Sequence, residues 1–131
     1  MRSLLVILLS FVFLSSCQKY PEGPILSLHS KESRVAHSWS CEKALVNTLE
    51  STPYYSNYSY TYGADKSYTE NNGYNILKGT WELTTQEDSL LVKMSNNKLL
   101  HRFKILRLKN NSMWLIEDVN NSSYEWHLSS N

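Results

Sequence analysis

Paired asparagines divide the sequence, and they recur at Asn71-Asn72, Asn96-Asn97, Asn110-Asn111 and Asn120-Asn121. Asparagine tolerates the left-handed backbone region that tight hairpin turns require, and its side chain can hydrogen-bond the backbone of the turn. Each pair stands between two short runs of extended character, so the sequence predicts a hairpin at each of the four. Asn72-Gly73 is the strongest of these turn signals.

The runs between the turns alternate apolar and polar residues, which is the pattern of a strand with one buried face. The run from Leu77 to Leu83 alternates almost without exception, and the runs 90–94 and 124–128 repeat the pattern. A short helix around residues 31–36 fits the sequence before the first run. We predict eight strands, near residues 39–47, 56–62, 66–70, 74–84, 89–95, 98–108, 112–118 and 123–129.

The order of these strands predicts the fold. Consecutive strands joined by tight turns must be antiparallel neighbours, because parallel pairs need long crossover connections. A meander of eight strands avoids exposed edges most simply by closing on itself. The predicted fold is therefore all-β, an antiparallel up-and-down eight-stranded barrel that occupies residues 37–131.

The N-terminal residues indicate export. Met1 and Arg2 precede an uncharged apolar run from Leu4 to Leu14. A helix needs about 20 apolar residues to span a membrane, so this shorter run is typical of a secretory signal. The Leu-Ser-Ser-Cys sequence at 14–17 then resembles a bacterial lipobox. That resemblance implies a signal peptide at residues 1–16 and lipidation of Cys17; an ordinary secreted protein with a chance cysteine is the alternative.

Lipidation would place the protein on a bilayer. Several acyl chains on one residue anchor a protein firmly, so the membrane is a predicted partner through Cys17. Residues 17–36, which contain Pro21, Gly23 and Pro24, are predicted to form the lipidated N-terminus and a tether. Gln18 stands where lipoproteins retained at the inner membrane carry Asp, which by resemblance to Gram-negative sorting indicates the outer membrane of the cell envelope.

A family resemblance rests on residues spread along the chain. These are Ser27–Lys31, Arg34-Val35, Trp39, Asn72-Gly73, Gly79–Leu83 and Ile105–Leu108. In spacing and hydrophobic type they are similar to the lipocalin-like lipoproteins of Bacteroidota, over essentially the whole mature chain. The resemblance implies a small calycin-type barrel on a lipid anchor. Classical lipocalins carry Gly-x-Trp on the first strand, whereas here it falls at 79–81, so no ligand-binding residue is transferred from them.

Aromatic residues supply the candidate ligand site. Six of the nine tyrosines fall between residues 53 and 68. An eight-stranded barrel is just wide enough to be filled by side chains or to hold one small ligand. Buried tyrosine hydroxyls need partners, which a wet barrel mouth or a polar ligand supplies. The residues predicted to face inward and bind are Tyr58, Tyr60, Tyr62, Trp81, Phe103, Trp114, Tyr124 and Trp126; a fully packed core of the same rings is the alternative.

Other chemistry has little support in the sequence. The histidines show no metal spacing, and no nucleophile elbow, Cys-x-x-Cys or phosphate-binding glycine loop occurs. We therefore predict no catalytic residue, metal or cofactor, and no enzyme; the alternative is a catalytic pair that only the fold brings together, for which Glu82, His101 or His127 would have to lie buried side by side. With Cys17 lipidated, Cys41 is expected to be a buried thiol of the core. Asp88-Ser89-Leu90 resembles a short O-glycosylation acceptor pattern of the same bacteria, a match too short to decide modification.

Charge argues against nucleic acid as a partner. The formal net charge is +1, and removal of Arg2 with the signal makes the mature chain neutral. Basic residues do cluster at Lys93, Lys98, His101, Arg102, Lys104, Arg107 and Lys109. They form either a patch for anionic lipid heads or an acidic partner, or the solvated outer face of two paired strands. The sequence favours the solvated face.

Two functions from different classes are consistent with these patterns. The first is a lipid-anchored, non-enzymatic protein that binds a small apolar or amphipathic ligand in the barrel mouth. The second is a solid-core interaction module that docks another envelope component through its aromatic rim or basic face. They differ in whether the aromatic rings line the interior or fill it.

Overall fold

The computed structural model describes residues 29–130, which form two short helices and nine strands. In chain order these are α1 (Lys31–Val35), β1 (Ser38–Val46), β2 (Leu49–Glu50), α2 (Thr52–Tyr55), β3 (Ser59–Tyr62), β4 (Ser67–Asn71), β5 (Ile76–Leu83), β6 (Ser89–Met94), β7 (Leu99–Leu108), β8 (Ser112–Val119) and β9 (Ser122–Ser130). Neither helix in this range is long and apolar enough to cross a membrane. The predicted signal peptide, Cys17 and most of the predicted tether lie outside the described residues.

The strands form a closed barrel. β1 and β3 to β9 follow one another as antiparallel neighbours, and β9 pairs back onto β1 from Trp39↔Ser130 to Val46↔Tyr124. β2 adds a two-residue hairpin to the end of β1. The predicted antiparallel up-and-down barrel of eight strands is confirmed. Helix α2 was not predicted, since four residues are too few to show a helical period.

The paired asparagines do lie at hairpins, each between consecutive strands. Left-handed backbone angles occur at Asn97 (φ 63°), Asn120 (φ 50°) and Asn121 (φ 65°). At the β4–β5 turn the side chains act instead: Asn71 Oδ1 accepts a 2.9 Å hydrogen bond from the N–H of Gly73, whose φ is +87°. Both mechanisms are those by which asparagine favours turns, so the hairpin prediction is confirmed with its physical reason.

Helix α1 closes one end of the barrel, which we call the closed end. Val35 is fully buried, and its carbonyl oxygen accepts a 2.9 Å hydrogen bond from Nε1 of Trp39 on β1. Arg34 is also buried and donates from Nη1 to the carbonyl oxygen of Leu108 at 2.8 Å. The predicted short helix is confirmed. Because it packs on the barrel, the folded domain begins before residue 37, the boundary predicted from the sequence.

The half of the barrel next to α1 is filled by apolar side chains. Its fully or almost fully buried members are Trp39, Trp81, Leu90, Ile105, Leu108, Met113, Leu115 and Leu128. Cys41 is a buried free thiol, as predicted, and burial raises its pKa. Apolar burial stabilises by roughly 25 cal/mol per Å² of surface removed from water. This half therefore supplies much of the stability of the fold.

A glycine lets β5 and β6 pair closely. A Cβ atom at Gly79 would overlap the carbonyl oxygen of Lys93 on the neighbouring strand. The Gly79-Thr80-Trp81 sequence thus combines a position that excludes side chains with a ring that packs inward two residues later. Any larger residue at 79 would push β6 away.

Candidate functional site

A cavity of about 260 Å³ occupies the end of the barrel opposite α1, which we call the open end. It lies where β4 and β8 end and where β3, β7 and β9 begin. Helix α2 lies beside it. Its lining residues are Tyr55, Tyr58, Tyr60, Glu70, His101, Phe103, Glu117, Val119, Tyr124 and Trp126.

Trp126 is the centre of the aromatic part of this lining. The Tyr55 ring of α2 meets it edge to face, with ring centroids 4.6 Å apart. Tyr58 and Tyr124 lie nearly parallel to it, each with a centroid distance of 6.4 Å. Tyr60 completes the group at 6.5 Å. Such arrangements stabilise by roughly 0.5–1.5 kcal/mol per pair beyond simple burial, so the cluster is a preformed surface.

Charged side chains form the other part of the lining. The imidazole of His101 on β7 lies between two carboxylates: Nδ1 is 3.0 Å from Oε2 of Glu117 on β8, and Nε2 is 3.2 Å from Oε2 of Glu70 on β4. Strands β4 and β7 are not neighbours in the sheet, so the second contact crosses the barrel interior. Tyr68 donates its hydroxyl hydrogen to Glu70 Oε2 at 2.7 Å. We call Glu70, His101 and Glu117 the charged cluster.

The charged cluster holds its histidine protonated. Burial by itself would lower the pKa of His101, but the hydrogen bonds and negative charges of Glu117 and Glu70 outweigh burial and raise this pKa to about 9. Burial would likewise raise the pKa of Glu70, yet the hydrogen bonds from His101 and Tyr68 bring it below its ordinary value. At neutral pH the cluster is therefore an imidazolium between two carboxylates.

The tyrosines around the charged cluster are neutral. Burial raises the pKa of Tyr60, Tyr62 and Tyr68, and the negative charge of Glu70 raises each further. The Tyr62 hydroxyl is buried and has no hydrogen-bond partner among the described residues. An unpaired buried hydroxyl costs free energy, so Tyr62 lowers the stability of the fold relative to a paired hydroxyl.

Seven of the eight predicted site residues face the interior of the barrel, but only five of them line the cavity. Tyr58, Tyr60, Phe103, Tyr124 and Trp126 line the cavity together. Tyr62 and Trp81 also face inward, but they pack against each other with ring centroids 5.9 Å apart, outside the cavity lining. Trp81 Nε1 donates to the carbonyl oxygen of Gly63 at 2.8 Å. These two residues belong to the core of the closed half.

The inward placement predicted for Trp114 is wrong. Its neighbours Met113 and Leu115 are buried inside, so alternation along β8 puts Trp114 on the outer face. There it stacks on His127 with ring centroids 3.9 Å apart, and the Arg107 guanidinium lies 4.3 Å above the ring. The sequence hides this because residues 113–116 are all apolar and do not alternate.

The sequence prediction missed the charged cluster. The sequence pattern places His101 among the outward basic residues, and that prediction is wrong, since His101 lines the cavity while Arg102 and Lys104 are exposed. The usable signal was register: His101 precedes the inward Phe103 by two residues, and Glu117 follows the inward Leu115 by two. The other basic residues of this group do lie on the outer face of the barrel. On that face Nζ of Lys93 lies 2.8 Å from Oε1 of Glu82.

Metal binding has no support in the described chain. Across residues 29–130, no group of three or more His, Cys, Asp or Glu side chains is arranged to hold a metal ion. In the charged cluster both imidazole nitrogens of His101 are already paired with carboxylates, so neither nitrogen is available to a metal ion.

The fold and cavity define a small closed β-barrel with one capped end and one aromatic-lined open end. No protein-family model matches the chain, and no curated protein matches it in sequence. Among solved structures it is similar to the NMR structure of a protein from Bacteroides uniformis ATCC 8492, with a TM-score of 0.54 and 17% sequence identity, over 76% of this chain and 90% of that chain. At this identity the similarity supports the fold alone.

Proposed function

We propose that this protein is a lipid-anchored, non-enzymatic lipoprotein of the cell envelope that binds one small amphipathic molecule in the open end of its barrel. The observation that carries the proposal is the cavity of about 260 Å³, lined by Trp126 with its tyrosine neighbours and by the charged cluster. Small-molecule sites are typically apolar concavities with a few well-placed polar groups. The volume suits a ligand smaller than a phospholipid.

The protonation state of His101 favours binding over catalysis. A general base must be unprotonated at the working pH. Both nitrogens of His101 instead face carboxylates, and its pKa of about 9 keeps it protonated at neutral pH. His101 therefore offers a fixed positive charge held by its two carboxylate partners rather than a general base.

The lipid anchor rests on the lipobox-like sequence that ends at Cys17, and the outer-membrane location rests on Gln18. Replacement of Cys17 by Ser should move the protein from the membrane fraction to the soluble fraction and remove the lipid mass. Cys41→Ser is the matched control, because Cys41 is buried in the barrel and should leave the anchor intact. Membrane association of Cys17→Ser protein would refute the anchor.

A second function, protein interaction, is favoured by the rim of the open end. Exposed apolar residues surround the mouth: Leu49, Tyr54, Tyr74, Ile76, Leu77, Leu99 and Val119. Tyr74 is 93% exposed and Tyr54 is 83% exposed. Grouped exposed apolar residues mark sites of interaction or ligand entry. The rim thus suits either a docking partner or the passage of an apolar ligand.

Native mass spectrometry of the full chain tests the binding proposal. We expect a small molecule to co-purify with the protein, and Trp126→Ala to abolish the bound mass. Trp114→Ala is the matched control, because this tryptophan lies on the outer face and should retain the ligand. A protein without any bound mass, or a bound mass retained by Trp126→Ala, would refute cavity binding and leave interaction through the rim.

A further inference from the structure

The charges that line the cavity do not cancel. Glu70 and Glu117 are carboxylates, and His101 is the positively charged group between them. The neighbours of His101 along β7 do not alter this balance, because Arg102 and Lys104 face solvent. The charged cluster therefore leaves one negative charge in excess at the cavity wall.

Glu70 has acceptor capacity left for a ligand. The hydrogen bonds from Tyr68 and His101 both go to its Oε2 atom, and Oε1 accepts none from residues 29–130. Glu117 is more fully used, because its Oε1 accepts a 3.2 Å hydrogen bond from the N–H of Arg102. A carboxylate offers about four lone-pair sites. Glu70 is thus the acceptor best able to bind a donor group in the cavity.

The aromatic lining favours the same sign of ligand charge. Aromatic faces carry partial negative charge and attract ammonium groups, most strongly at tryptophan. Trp126 lies among Tyr55, Tyr58, Tyr60 and Tyr124, so several π-systems border the cavity together with the charged cluster. An anion would meet repulsion from both parts of the lining.

We propose that the cavity selects cationic amphipathic molecules, with a protonated amine hydrogen-bonded to Glu70 and an apolar body packed against Trp126. This inference rests on the proposed function and narrows its ligand class. A neutral ligand of the same shape gains the apolar contacts but not the charge interaction. A preference for the amine over a neutral molecule of the same shape therefore distinguishes cation selection from the binding of any small amphipathic ligand.

Equilibrium dialysis of the full chain in phosphatidylcholine nanodiscs tests the inference with three probes that share an indole ring. Tryptamine is a cation at pH 7, tryptophol is neutral and indole-3-acetate is an anion; empty nanodiscs provide the blank. We expect tryptamine to bind more tightly than tryptophol by about tenfold or more, the factor that corresponds to about 1.4 kcal/mol. Indole-3-acetate should bind most weakly.

Substitution at Glu70 locates the effect. Glu70→Gln keeps the size of the side chain, and the ratio of its affinities for tryptamine and tryptophol should fall to about one. Urea unfolding of the variant shows separately that it is folded. Glu82→Gln is the control, because this carboxylate is exposed and pairs with Lys93 outside the cavity.

The outcomes separate the two proposals. Equal binding of tryptamine and tryptophol by the wild-type chain would overturn cation selection and leave the binding function in place. Absence of binding by all three probes would overturn both. The wild-type comparison needs no variant, so misfolding of Glu70→Gln cannot obscure it.

Discussion

The closed half and the open half of the barrel are built by the same strands but bury different chemistry. On β7, Ile105 and Leu108 are buried among apolar side chains of the closed half, whereas His101 lies between two carboxylates in the open half. On β8, Leu115 and Glu117 show the same change over two residues. One strand thus contributes both to packing at the capped end and to a ligand site at the mouth.

The difference has a physical reason. Buried charges are costly unless they are paired and hydrogen-bonded, so they are tolerated where partners and some solvent are available. At the closed end α1 excludes water, and apolar residues fill the space. At the open end His101 keeps 23% of its side chain exposed and has a carboxylate at each nitrogen. We therefore expect the stability of the protein to depend mainly on the closed half and ligand binding to depend mainly on the open half.

The largest expected effect is on the free energy of unfolding, and it should differ between two tryptophans, one in each half of the barrel. Trp39 is fully buried, and Trp39→Ala should lower the free energy of unfolding by about 3–5 kcal/mol. Trp126 is only partly buried at the cavity, so Trp126→Ala should cost clearly less, on the order of 1–2 kcal/mol, because part of its ring is already exposed to solvent in the folded protein. Urea unfolding measures both, and equal costs would contradict the division between the halves.

The next effect is a loss of stability in alkaline solution. The pKa of His101 is about 9 in the folded protein, above its ordinary value of 6.5. Its contribution to stability is therefore fully present below about pH 6.5 and is lost as the pH rises through about 9, on the order of 2–3 kcal/mol. Glu70 acts in the opposite sense, because its pKa is lowered in the folded protein. Its contribution to stability is present above the ordinary pKa of a glutamate and is lost as the pH falls through the lowered pKa.

Urea unfolding between pH 6 and pH 10 measures the contribution of His101. His101→Gln is the control: it should be less stable at pH 6, and its stability should decline less toward pH 10. An identical decline in both proteins would show that the charged cluster is not the source of the pH dependence.

The smallest expected effect concerns the rim. Tyr74 is 93% exposed, so Tyr74→Ser should change the free energy of unfolding by no more than about 0.5 kcal/mol. The same urea experiment measures it. A loss well above this would mean that the rim supports the fold, which would weaken its assignment to ligand entry or docking.

Much of the fold was readable from the sequence, although boundaries shifted where a tertiary contact intervened. The strand predicted at 98–108 is Leu99–Leu108, and that predicted at 112–118 is Ser112–Val119. The strand predicted at 56–62 begins only at Ser59, because Thr52–Tyr55 forms α2 and packs Tyr55 on Trp126. Alternation identified most inward rings but failed at Trp114, within an apolar run that does not alternate.

The sequence by itself determined the hairpins and the strands between them. These depend on local chemistry: asparagine at positive φ or bonding its own turn, and alternation of side chains along an extended backbone. Tertiary structure alone decided which end is capped and which is open. It also brought Glu70 to His101, 31 residues away in sequence, because closure of the barrel sets strands face to face that never pair.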